Sequence, residues 1–206
     1  MSEQETPQIY LITPSNAELS FYSETLAPLM DAFPMACVRL GLVSEDETVI
    51  SRHADQLRDV SHARDVSAVI STHYRLVDAL GLDGVHRVDA AKTLREIRDE
   101  LGANAIIGTH CGTSRHVGMN AGEVGADYIC FGPVSKTALT DGDITEFDTF
   151  EWWSEMVEIP VVAEGNVTLD VAKELAPVID FLALGPEIWA HENPGKQLEE
   201  YITRIT

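Results

Sequence analysis

The chain has 206 residues, 45% of them apolar and 23% charged, enough to bury a sizeable core in one domain. Thirty-four acidic against fourteen basic residues leave a net charge of −20, which argues against nucleic-acid or anionic-membrane partners and confines any phosphate site to a local cradle of backbone N–H groups, hydroxyls or lysines. Three cysteines without metal or C-x-x-C spacing, an N-terminus lacking signal-peptide character and no run near ~18 apolar residues predict a cytoplasmic protein with free thiols.

Apolar runs alternate with amphipathic stretches. IYLIT (9–13) reads as a strand, and Ser15 opens a helical stripe through Leu19, Tyr22, Leu26 and Leu29. ACVRLGL (36–42) is the second strand, followed by a capping-box pattern from Ser44 to Glu47. SAVIST (67–72) and DGVHRV (83–88) come next, then a helix with Leu94, Ile97 and Leu101 on one face and Gly102 at its end. NAIIGT (104–109) and DYICFG (127–132) precede Trp152 and Trp153, which pack a helix on the sheet. PVVAEG (160–165) leads to a helix capped by Thr168 and ended by Pro177. DFLALG (180–185) is followed by a last helix over 195–205 with Leu198, Tyr201, Ile202 and Ile205. Most of the eight runs are apolar on both faces, as parallel strands buried on both sides are. The pattern predicts the α/β class, a single (β/α)8 TIM barrel over residues 1–206, with a doubly wound open sheet as the alternative.

In such a barrel the chemistry sits in the loops after the strands. After the sixth comes GPVSKTALTDGD (132–143), too long and polar for a minimal connector. Glu164-Gly165-Asn166-Val167-Thr168 follows the seventh and Leu184-Gly185-Pro186-Glu187 the eighth, where barrels often hold phosphate.

GADYICFGPV with its Thr-bearing loop, IPVVAEGNVT, DFLALGPEI and, upstream, LGLDGVHRVDA resemble segments of the thiamine phosphate synthase and thiazole tautomerase superfamily. The resemblance runs from about residue 68 to 190 and reaches back to Arg39. It implies a role in thiamine biosynthesis: an aminopyrimidine diphosphate loses pyrophosphate, held by Mg2+, and a thiazole phosphate nitrogen attacks. The transferase chemistry needs anion stabilisation rather than an unusual general base. Carried over by position, the implied catalytic residues are Arg39, Thr137 and Lys136, the last standing four residues before the family's loop lysine, which falls on Thr140. Gly165, Asn166, Leu184, Gly185, Thr137 and His86 are the implied phosphate and substrate contacts. Asn166 replaces the second glycine of a pair, and Pro186 removes an N–H from the last loop. The family's Asn-Asp pair falls on Ser71-Thr72 and its second metal aspartate on Ala91, leaving Asp89 as a weak one-carboxylate candidate for Mg2+.

Two other readings stand beside the synthase. A tautomerase-like isomerase would use a histidine after the fifth strand; Thr113 aligns there, flanked by His110 and His116, and His110 is the acid–base candidate. A catalytically silent barrel would bind a phosphate or thiamine without turnover. An aldolase-like reading would favour a strand-borne lysine, and none ends a strand. The expected partner is a small phosphorylated heterocycle, and a homodimer is compatible with the sequence.

Overall fold

Each apolar run forms one strand: β1 (Gln8–Ile12), β2 (Cys37–Leu40), β3 (Ser67–Ser71), β4 (Gly84–Arg87), β5 (Ile106–His110), β6 (Tyr128–Phe131), β7 (Val161–Ala163) and β8 (Phe181–Leu184). The computed structural model describes residues 6–88, 93–136 and 142–206. The strands pair in parallel in sequence order, and β8 returns to β1 with Ile9 opposite Leu182 and Leu11 opposite Leu184, closing a barrel. Closure removes the open-sheet alternative. Interior side chains alternate with exterior ones: Tyr10, Cys37, Val69, Tyr128, Cys130, Val162 and Ala183 fill the barrel, while Ile9, Leu11, Val38, Ile107, Ile129, Val161 and Leu182 meet the helices. Gly108 of β5 gives Tyr128 its room, since a Cβ there would lie 1.9 Å from the ring's Cζ.

A π-helical turn (Tyr22–Leu26) runs into α1 (Ala27–Ala32), followed by α2 (Glu47–His62), the short α3 (Val77–Leu80), α4 (Leu94–Leu101), α5 (Arg115–Glu123), α6 (Phe147–Met156), α7 (Leu169–Leu175), α8 (Pro186–Trp189) and α9 (Pro194–Ile205). The first helix begins later than its apolar stripe suggests, because turns from Pro14 to Ala17 and Glu18 to Phe21 precede it. The cap of α2 also shifts. Asp46, not Ser44, accepts from the Thr48 and Val49 amides, and Ser44 Oγ instead accepts from the Asp46 N–H. Thr168 caps α7 as predicted, through the Val171 N–H. Pro177 falls in a 3-10 turn (Ala176–Val178) that follows α7. Trp153 is fully buried against Phe131 and donates to the Ile159 carbonyl, so the tryptophan pair holds α6 to the barrel.

An aspartate stands just ahead of β4, β6 and β8. Asp83 accepts from the Ala68 N–H, Asp127 from Ile107 and Asp180 from Val161, each at 2.7 Å. Each thereby satisfies a backbone donor at the start of the preceding strand. Among the described residues, no helix is long and apolar enough to cross a membrane.

Candidate active site at the mouth of the barrel

Arg39 is the third residue of β2, two places beyond inward-facing Cys37, so the pleat turns it into the barrel too. Burial strips an ion of water and demands a partner. Glu164, the residue after β7, supplies it: Arg39 Nη2 donates to Oε1 at 2.6 Å and Nη1 to Oε2 at 3.0 Å, a bidentate pair. Burial alone would raise the Glu164 carboxyl, but the Arg39 guanidinium outweighs it and holds the group down at about 2. Burial would lower Arg39, and Glu164 reverses that and raises it. Arg39 Nε is buried with no hydrogen-bond partner among the described residues, and Cζ lies 5.6 Å from the Tyr10 ring centroid.

Three further groups close around this pair. Cys130 of β6 donates its S–H to Glu164 Oε2 at 3.3 Å. His86 of β4 is buried, with Nδ1 at 2.9 Å from the Tyr128 hydroxyl, which in turn meets the Tyr10 hydroxyl at 2.8 Å. Burial, then Arg39, drives the His86 pKa well down, so the ring is neutral. His110 ends β5 within electrostatic reach of Glu164 and Arg39, and burial lowers its pKa as well. A cleft of about 440 Å³, lined by Ile12, Thr13, Gly41, Pro186 and Trp189, opens above Arg39 and Glu164. It lies at the C-terminal ends of the strands, where barrels of this class act.

Other candidates fall elsewhere. Lys136 is exposed and borders a separate groove of about 270 Å³ with Ile144, Thr145, Glu146 and Glu174. Its carbonyl accepts from Asn166 Nδ2, and Val134 N–H donates to the Gly165 carbonyl, so the loops after β6 and β7 are stitched together. Gly165 and Asn166 both have positive φ, +92° and +55°; asparagine tolerates this better than other side-chain-bearing residues, which accounts for its place in the glycine pair. Leu184 ends β8 with its side chain in the outer core. The Gly185 and Val167 N–H groups both donate to the Glu187 carboxylate. Thr137 and Asp89 lie outside the described residues. His116 is on α5, its Nε2 3.2 Å from Asn120 Nδ2, and His73 turns back to the Ser71 carbonyl. Cys111 is buried with its thiol pushed up to about 12 by burial, which makes it a poor nucleophile.

The family model described as thiamine monophosphate synthase matches residues 9–186. The chain belongs to this family. A thiamine-phosphate synthase of Rhodospirillum centenum is 38% identical, with the match covering 89% of this chain and 90% of the relative. One from Erythrobacter litoralis is 35% identical over 92% of each. A solved thiamine phosphate pyrophosphorylase from Pyrococcus furiosus superposes with a TM-score of 0.81 at 23% identity, covering 96% of this chain and 95% of the other, and shares its fold. The thiamine-biosynthesis role implied by the motifs is thereby established, with a resemblance to thiamine-phosphate synthase.

Arg39, His86 and His110 carry signals in the sequence; Glu164 is marked only by its place in the loop after the seventh strand, as the partner of none of them, and Cys130, Tyr10 and Tyr128 carry none. One signal was available: a charged residue in a strand apolar on both faces needs a counterion, and Glu164 is a carboxylate at the C-terminal end of a strand run, the end that faces the site.

Proposed function

We propose that the chain joins an aminopyrimidine diphosphate to a thiazole phosphate in the cleft above Arg39, as a cytoplasmic enzyme. The pyrimidine methylene–oxygen bond breaks with its electron pair leaving on pyrophosphate, and the thiazole nitrogen lone pair forms the new C–N bond. The observation that carries this reading is 38% identity to a thiamine-phosphate synthase over about nine-tenths of both chains. In support, the cleft is of ligand size and its floor carries the guanidinium such a leaving group needs.

The described residues fit Mg2+ poorly. Mg2+ takes oxygen ligands, usually one or two carboxylates together with substrate phosphates. Ser71 ends β3, Thr72 and His73 follow it, and Arg87, at the end of β4, donates to the Thr72 carbonyl at 2.7 Å. A guanidinium therefore stands beside the segment where the family resemblance puts a carboxylate. The charge of the diphosphate then falls to arginine and to loop donors.

The test is thiamine phosphate production, read as fluorescent thiochrome, from the two substrates with added Mg2+ and with chelator. Product is expected, and Arg39→Met should lower kcat/KM by roughly 100-fold or more. A folded wild-type protein that makes no product under either condition refutes synthase activity. His110, at the end of β5 and within electrostatic reach of Glu164, favours one second reading, a tautomerase-like proton transfer. Thiazole isomerisation abolished in His110→Ala, in a protein without synthase turnover, would select it.

A further inference from the structure

His86, Cys130 and Glu164 come from β4, β6 and the residue after β7, yet each offers a ligand atom within 4.8 Å of the other two. We propose that these three side chains form a site for a divalent ion of borderline softness, of the Zn2+ or Co2+ class, inside the barrel mouth and distinct from any Mg2+ site for a diphosphate. The proposal does not depend on the synthase reading.

The donor set chooses the ion. One sulfur, one imidazole nitrogen and one carboxylate oxygen suit Zn2+ and Co2+, whereas Mg2+ and Ca2+ prefer all-oxygen shells. Three protein ligands leave a fourth tetrahedral position for water or a ligand atom, the pattern of sites that do chemistry rather than hold a fold. The surroundings orient the ligands. The Tyr128 hydroxyl occupies His86 Nδ1, itself held by Tyr10, and leaves Nε2 as the available nitrogen. Arg39 grips both oxygens of Glu164, as outer-shell partners of ligating carboxylates do.

Cys130 and His86 are 0% and 1% exposed, while the Glu164 side chain keeps 22% and lines the cleft, so entry is from the cleft side. At present the Cys130 S–H donates to Glu164 Oε2. An ion takes the place of that proton: the S–H bond breaks, sulfur keeps the electron pair as thiolate, and one proton passes to solvent. Arg39 and Glu164 already cancel, so a divalent ion and one thiolate leave a single positive charge, which a bound hydroxide or anionic ligand neutralises.

Metal-stripped protein, kept reduced with a phosphine, is titrated with Co2+ and followed by absorbance. One equivalent should give a saturable thiolate-to-cobalt charge-transfer band with tetrahedral ligand-field bands, both displaced by Zn2+. Cys130→Ser should abolish the charge-transfer band, while Cys37→Ser and Cys111→Ser keep it. Tyr128→Phe, which retains every proposed ligand, should weaken binding roughly 10- to 100-fold. Zn2+ should raise the melting temperature of the wild type and not that of Cys130→Ser. No thiolate band in the wild type, or a band that survives Cys130→Ser or vanishes in Cys111→Ser, overturns the site. Should Cys130→Ser fail to fold, an unchanged Co2+ affinity in Tyr128→Phe overturns it instead.

Discussion

Arg39 and Glu164 set the electrostatics of the mouth because neither could remain charged there alone. Desolvation opposes both charges, and two parallel hydrogen bonds at 2.6 and 3.0 Å offset it. Removing one partner leaves the other stranded. Arg39→Met is expected to destabilise the fold by about 3 kcal/mol, the lower end of the usual ~3–5 kcal/mol, because the Glu164 side chain still keeps 22% exposure. Arg39→Met with Glu164→Leu should recover more than half of that loss. Urea denaturation of the two single variants and the double variant measures the coupling, and a double variant no more stable than Arg39→Met alone would show that the charges act independently.

Helices dock on this barrel through outward strand residues, with local chemistry fixing where each begins. In α2, Asp46 satisfies two of the free amides at the helix start, and His53 faces the π-helical turn, its Nδ1 3.0 Å from the Tyr22 hydroxyl. Burial, with Arg52 adding to it, lowers the His53 pKa. The unfolded chain therefore takes up this proton at higher pH than the folded one does. The His53 contribution is intact above the ordinary histidine range and is lost as pH falls through it toward the folded value. Thermal unfolding followed from about pH 7 to 5 should show the melting temperature falling more steeply in the wild type than in His53→Asn. Equal slopes would mean that the ring is as easily protonated folded as unfolded.

For the molecule as a whole the dominant quantity is the net charge of −20. Self-repulsion at that charge opposes the compact state, and salt screens it over about 10 Å at 0.1 M. The melting temperature is expected to rise between roughly 10 mM and 500 mM NaCl; a fall would mean that local pairs such as Arg98–Asp127 and Arg64–Asp31 outweigh the global repulsion. The barrel itself was legible in the chain, because strands buried on both faces leave continuous apolar runs and each of the eight runs became a strand. Of the residues gathered at the mouth, Arg39 and His86 are marked by the family motifs. Several features were not legible: the late start of the first helix, the Asp46 cap, and the meeting of Glu164 with Arg39, Cys130 and His86. The last depends on which residues the closed barrel brings face to face, across 125 positions in the case of Arg39 and Glu164. Local composition determined the elements and their order, since hydrophobic periodicity is written along the chain. Only the tertiary structure decided the site, because a buried ion pair and a shared ligand cluster are properties of strands made neighbours by closure, and no local pattern encodes that distance.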